Sequence, residues 1–243
     1  MSEVVGVIPA RLGSTRFPGK LLCPYQGKPL IYYVWRQASR ARRIDRLMIA
    51  TDSAEIARAA EAFGADVVLT SKRPRTGTDR VAEAVKGRPA GIVVNIQGDC
   101  FGLKPGLLDR VIDAMMQNRD MRYATLARPI SVDQELFNPS VVKVAVGRDG
   151  RALWFSRYPI PYLQKPDRRH HSSQFAFLAH IGVYFFRREA LEAFVGWKQS
   201  PLEKAESLEQ LRILDNGGVI KVFTTRSATF SIDTPDDLRK LGQ

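Results

Sequence analysis

Val4-Val5-Gly6-Val7-Ile8-Pro9-Ala10 runs without a break into Arg11-Leu12-Gly13-Ser14-Thr15-Arg16-Phe17-Pro18-Gly19-Lys20. The first stretch is short, uncharged and apolar, the pattern of a parallel strand buried on both faces. The second is a glycine-containing loop carrying three cations. In an α/β sheet the ligand sits beyond the carboxyl ends of the strands, where this loop begins. Glycines there let main-chain N–H groups approach phosphates, and Arg11 and Lys20 can neutralise them. The loop is not a Walker A motif: the spacing from Gly13 to Gly19 is one residue too long, and Leu21 stands where a hydroxyl should bind magnesium. It does not match the dinucleotide G-x-G-x-x-G pattern either.

The same reading extends along the first half of the chain. Leu47 to Ala50, Val67 to Leu69 and Ile92 to Ile96 are further buried-strand runs. Helical patterns lie between them at Leu30 to Ala41, Ala54 to Phe63 and Arg80 to Val85, with Asp52 and Glu55 spaced as a capping box for the second. Strands alternating with helices predict a mostly parallel, Rossmann-like sheet flanked by helices. The second half is richer in β-signals. Val141 to Val146 and Ala152 to Phe155 flank an Asp149-Gly150 hairpin turn, and His180 to Phe186 is another strand. Ser200-Pro201-Leu202-Glu203 opens a helix expected to reach Leu214 and to stop at Asn216-Gly217-Gly218. Thr234-Pro235 starts a last helix, and Gln164 to Gln174 reads as a loop.

Composition narrows the class. The chain has 243 residues, 44% hydrophobic and 26% charged, which fits a folded globular protein with a substantial core. No apolar run is long enough to span a bilayer. The start, Met1-Ser2-Glu3, lacks the basic and apolar segments of a signal peptide, so a cytoplasmic location is expected. Cys23 and Cys100 form no C-x-x-C pair, and any metal should be a hard cation on carboxylates. A net charge of 37 − 25 = +12 points to an anionic partner. The cations are not interleaved with aromatics as in single-strand binders, so phosphates and an acidic small molecule are favoured and no nucleic acid is expected.

Asn95-Ile96-Gln97-Gly98-Asp99 closes the fourth strand, and Ser231-Ile232-Asp233-Thr234-Pro235 closes a later one. Two carboxylates at strand ends, Asp99 and Asp233, can hold Mg²⁺ against phosphates and so serve in-line substitution at phosphorus.

With these segments stand Ala50-Thr51-Asp52, Thr76-Gly77-Thr78-Asp79-Arg80, Phe137-Asn138-Pro139 with Val142-Lys143, Phe155-Ser156-Arg157, His180-Ile181-Gly182-Val183-Tyr184 and Leu208-Glu209-Gln210-Leu211-Arg212. In this order, over nearly the whole length, the chain resembles the 3-deoxy-manno-octulosonate (Kdo) cytidylyltransferases. The resemblance implies a homodimer that uses CTP and Mg²⁺ to make CMP-Kdo and pyrophosphate for lipopolysaccharide synthesis. It implies one nucleotidyltransferase domain, with about residues 1–128 for the nucleotide and 129–243 for sugar binding and dimerisation. By matching motif, Arg11 and Lys20 hold the triphosphate, Thr78 and Arg80 lie near the nucleotide, and Gln97 lies between nucleotide and sugar. Asp99 and Asp233 hold the metal and, with Lys20, serve catalysis. Arg157, His180, Tyr184, Glu209 and Gln210 line the sugar site, where an arginine can pair bidentately with a carboxylate. A related acidic sugar, an amino-octulosonate or nonulosonate, is the alternative substrate; a weakly active nucleotide-binding paralogue is the alternative protein. One departure stands out. The family usually follows Gln-Gly-Asp with Glu or Gln and then Pro, whereas here Cys100-Phe101-Gly102 follow, which predicts a looser backbone beside Asp99.

Overall fold

The computed structural model of the chain describes residues 3–13, 17–164, 171–227, 229–232 and 235–240. Its first half comprises β1 (Val4–Ala10), a 3-10 turn at Lys20–Leu22, the two-residue strands β2 (Pro24–Tyr25) and β3 (Lys28–Pro29), α1 (Leu30–Ala38), β4 (Arg46–Thr51), α2 (Ala54–Glu61), β5 (Asp66–Leu69), α3 (Gly77–Val85) and β6 (Ile92–Ile96). Next come β7 (Cys100–Phe101), α4 (Pro105–Gln117), β8 (Tyr123–Pro129), α5 (Asp133–Leu136), β9 (Lys143–Val146), β10 (Ala152–Ser156) and α6 (His171–Gln174). The chain continues through β11 (Leu178–Arg187), α7 (Arg188–Gly196), α8 (Pro201–Glu206), α9 (Leu211–Asp215), β12 (Ile220–Thr224), β13 (Phe230–Ser231) and α10 (Pro235–Lys240).

The predicted α/β architecture is present. Strands β6-β1-β4-β5 form the parallel heart of a nine-stranded sheet. Alternation along β1 shows why those runs read as apolar throughout: Val4, Ile8 and Ala10 enter the core under α1 and α4, while Val5 and Val7 enter the core under α3, α7 and α9. Both faces are covered, so neither can be polar.

Strand β11 joins the two halves. It runs antiparallel to β6 on one side and to β8 on the other. Its first residues also reach β9, through Ala179 opposite Lys143, and β9 pairs with β10 as the predicted hairpin. Val183 lies opposite Ile96, the last residue of β6, so residues 178–182 run past the carboxyl end of the parallel strands. Along β8 the register shifts between Ile181 and Tyr184: Leu126 faces Ile181 while Thr125 faces Tyr184, leaving Gly182 and Val183 as a bulge.

Several local expectations need correction. Ser53, not Asp52, caps α2 by accepting from Ile56 N–H, and Asp52 is an ion-pair partner of Arg80. Helix α3 begins at Gly77, ahead of the predicted Arg80, because Thr76 and Asp79 form a capping box. The helix opened by Ser200 does not continue to Leu214. It stops after Glu206 at Ser207, a left-handed residue with φ of 53°, and resumes at Leu211. That break puts Glu209 and Gln210 on a turn. The Thr234 cap and much of the Gln164–Gln174 loop lie outside the described residues, and Ser172 and its neighbours form the short α6.

Two glycines separate backbone need from mere occupancy. A Cβ at Gly218 would stand 2.5 Å from Ile213 Cγ2 and 2.9 Å from Ile213 O, whereas one at Gly106 in α4 meets nothing. Gly218→Ala should destabilise the fold by about 1–3 kcal/mol through overpacking, and Gly106→Ala should stabilise it by about 0.4–1 kcal/mol. Urea midpoints of the two variants, moving in opposite directions from the parent, check both.

Candidate functional site

Beyond the carboxyl ends of β1 and β6 lies a cavity of about 1000 Å³. Its wall combines Arg11 after β1, Arg75, Thr76 and Gly77 at the start of α3, and Gln97 and Asp99 after β6. The other side is built from the second half of the chain: Arg128, Arg157, His180, Tyr184, Glu209 and Gln210. A helix start with cations beside it favours an anion.

Asp99 is anchored by Lys20, whose Nζ lies 2.6 Å from Oδ2; the lysine is nearly buried and the carboxylate a quarter exposed. Gln97 projects between two glycines. A Cβ on Gly77 would come within 3.3 Å of its Nε2, and one on Gly182 within 3.1 Å of its Cγ. Gly182 therefore leaves the space the glutamine fills. A glycine inside an apolar strand is the sequence signal that marks such an approach.

A chain of hydrogen bonds underlies the far wall. Asn95 Nδ2 donates to Thr78 Oγ1 (2.9 Å), and Thr78 Oγ1 donates to Glu209 Oε1 (2.8 Å). Tyr184 Oη donates to Gln210 Oε1 (3.0 Å). Burial pushes the Glu209 carboxyl up, and burial together with Glu209 pushes the Tyr184 phenol well above its usual range. Glu209 Oε2 and Gln210 Nε2 are buried and have no hydrogen-bond partner among the described residues. The turn that carries them is fixed from below by Arg212, which donates to both oxygens of Glu203 at 2.7 and 2.6 Å and lies with it almost wholly buried.

Arg157 reaches the cavity, but three of its N–H groups already serve main-chain carbonyls: Nε to Glu206 O (2.7 Å), Nη1 to Pro139 O (3.0 Å) and Nη2 to Ser207 O (3.3 Å). Lys143 lies fully buried behind it, donating to the carbonyls of Asn138, Val141 and Arg157. Burial first, then the charge of Arg157, brings its pKa down to about 8. Its place in Val142-Lys143 gave no hint of this role.

The structure thus brings Arg11, Gln97, Asp99, Arg157, His180, Tyr184, Glu209 and Gln210 around one cavity. Lys20 joins through Asp99. Thr78 and Arg80 are buried behind the wall: Thr78 orients Glu209, and Arg80 pairs with Asp52 (3.1 Å) and donates to Thr70. Asp233 lies outside the described residues; Ile232 before it donates its N–H to Asp99 O (3.4 Å). Cys100 is buried and its thiol is pushed up to about 12 by burial, the environment of a packed side chain rather than a nucleophile.

His180 is held by Phe155, edge-on at 5.1 Å, and burial lowers its pKa to about 3. Between that value and the usual 6.5 the unfolded chain binds a proton the folded one refuses. Stability should therefore fall as pH drops through this window, by up to about 1.4 kcal/mol per pH unit. Denaturant midpoints of wild type and His180→Gln from pH 7 to 4 check this: the wild type should lose more, and parallel curves would contradict it.

The family model described as Cytidylyltransferase matches residues 5–224. The chain is 42% identical to the 3-deoxy-manno-octulosonate cytidylyltransferase of Thermodesulfovibrio yellowstonii, over 96% of this chain and 94% of that one. It is 43% identical to the enzyme of the same name from Chloroherpeton thalassium, over 98% and 96%. Its fold is similar to that of CMP:2-keto-3-deoxy-manno-octonic acid synthetase complexed with CTP, with a TM-score of 0.89, 36% identity and coverage of 99% and 97%. The chain belongs to the 3-deoxy-manno-octulosonate cytidylyltransferase family.

Proposed function

We propose that this chain transfers the cytidylyl group of CTP to Kdo, giving CMP-Kdo and pyrophosphate for lipopolysaccharide synthesis in the cytoplasm. The observation that carries this reading is the two-ended cavity. One end offers cations and the start of α3 to a triphosphate. The other offers Arg157 and the unpartnered Glu209 Oε2 and Gln210 Nε2 to an acid with several hydroxyls.

A hydroxyl of the sugar attacks the α-phosphorus and gives up its proton to water; the new P–O bond forms as the bond to the β-phosphate oxygen breaks. Arg11 and Lys20 offset charge on the departing pyrophosphate. Gln97, held between Gly77 and Gly182, touches both substrates at their junction. Arg157 takes the sugar carboxylate with its remaining donors.

The residues fit Mg²⁺. Asp99 presents a hard, partly exposed carboxylate at the cavity, and magnesium is commonly held by one or two carboxylates plus substrate phosphates. Asp99 and Asp233 would hold it, and when bound it supplies Lewis acidity at the phosphates. Lys20 can neutralise Asp99 in the free protein and phosphate oxygens in the complex.

A homodimer is part of the proposal. The exposed large apolar side chains include Val132, Phe137, Leu153, Phe175 and, at 72% and 81% exposure, Tyr158 and Tyr162. Such surface favours self-association.

A pyrophosphate-release assay with CTP, Mg²⁺ and a panel of 3-deoxy-ulosonic acids tests the reaction; Kdo should give the highest kcat/KM, and a preference for an amino-octulosonate or nonulosonate would reassign the sugar. Asp99→Asn should lower turnover by orders of magnitude, and wild-type turnover at low Mg²⁺ would remove Asp99 from the site. Arg157→Lys keeps the charge but cannot hold the carbonyls and a carboxylate together. It should cost about 1–3 kcal/mol in sugar affinity and little in CTP affinity, measured by titrating each substrate separately.

A further inference from the structure

Thr125 on β8 is fully buried and plays no part in the site as described so far. Its position is set by the bulge in β11. Gly182 and Val183 have no opposite residue on β8, so that strand's main chain supplies no paired donor there. Thr125 Oγ1 fills the place, 2.8 Å from Val183 O and 3.5 Å from Ile181 O. The same oxygen lies 2.9 Å from His180 Nε2.

We propose that Thr125 is a positioning residue that fixes the proton of His180 on Nε2 and so leaves Nδ1 as a hydrogen-bond acceptor for a hydroxyl of the sugar. A hydroxyl has one proton to give. A carbonyl can only accept, so the proton of Thr125 belongs to Val183 O. Towards His180 the threonine oxygen must then accept, and the proton of that bond is carried by Nε2. Burial keeps the imidazole neutral, so it holds a single proton and Nδ1 is bare. His180 lines the cavity beside Tyr184, with ring centroids 5.3 Å apart. A bare lone pair there accepts from a hydroxyl and repels a carboxylate, whereas an imidazolium would attract one. The bulge thereby orients the ligand, with the acid end directed to Arg157 and a hydroxyl to His180. This inference rests on the sugar subsite proposed above.

The test has a spectroscopic and a kinetic arm. In the full-length protein labelled with ¹⁵N-histidine, long-range ¹H–¹⁵N correlation at neutral pH should show His180, identified by its loss in His180→Gln, as the neutral Nε2–H tautomer with a slowly exchanging proton. Thr125→Ser should keep that signal. Thr125→Val should lose the slow exchange and populate both tautomers. In kinetics Thr125→Val should raise the KM for Kdo about tenfold and leave the KM for CTP within twofold, and Thr125→Ser should stay within threefold of wild type for both. A wild-type ring protonated on Nδ1, or charged at neutral pH, overturns the proposal, and this spectrum decides even if Thr125→Val does not fold. An unchanged His180 signal in a folded Thr125→Val also overturns it. If the spectra behave as expected but the KM for CTP rises in place of that for Kdo, the tautomer assignment stands and the sugar subsite reading fails.

Discussion

Strand β11 is the constraint on which the site depends. It must pair with β6 on one edge and β8 on the other, and its far half, Val183 to Phe186, is buried among core residues of both layers. That pairing fixes its register. Antiparallel pairing with Ile96 at Val183 then forces the near half beyond the end of β6, into the space that a parallel sheet leaves for its ligand. The N–H of Gln97 donates to Gly182 O at 3.4 Å, the last link between the two strands. The first half and a second half rich in hydrogen-bonding side chains therefore meet by register.

The electrostatics follow from how the carboxylates are paired. Asp99 is paired with Lys20, Glu135 with Arg128 and Glu203 with Arg212. The Glu203–Arg212 pair is almost wholly buried, and removing one partner there would leave a buried charge alone, which is far more costly than the pair is stabilising. With those carboxylates matched, Arg11, Arg75 and Lys204 on the cavity wall add positive charge that an anionic ligand can answer. The excess of +12 over the whole chain raises the same field at longer range. Lys143 follows another rule: it has three carbonyl acceptors in place of a carboxylate, and so braces the main chain of Arg157.

What could be read from sequence was what a local pattern dictates. The parallel strands showed as unbroken apolar runs because both faces are covered, and Asp149-Gly150 marked its turn because Gly150 has φ of 78°. The motifs at Gln97-Gly98-Asp99, Arg157, His180 and Glu209-Gln210 do reach one cavity. What could not be read depends on partners distant in sequence. Ser207 adopts φ of 53° although serine has no preference for it, so the break before Glu209 left no trace. Asp52 looked like a cap because its partner, Arg80, is 28 positions away on another helix. Thr125 is a threonine in a strand until the bulge opposite gives its hydroxyl a carbonyl to satisfy.

The Cys100-Phe101 departure shows how a change of residue type can be absorbed by tertiary pairing. A proline beside Asp99 would restrain the backbone by fixing φ. Here the same stretch is strand β7, whose Phe101 lies opposite Phe230 and Cys100 opposite Ser231 of β13. The two phenylalanine rings stack at 6.0 Å and 16°, Phe101 and Ile232 are buried, and Gly102 takes φ of 74° to turn the chain away. The looser backbone expected from the missing proline and the added glycine is thus countered by a ladder and an aromatic pair, each of modest strength but acting on both segments at once. A proline would have fixed only the first segment. The ladder also brings the main chain of Ile232 to Asp99, and with it the stretch that leads to Asp233. In this chain the restraint on one carboxylate and the approach of the second segment are therefore the same interaction.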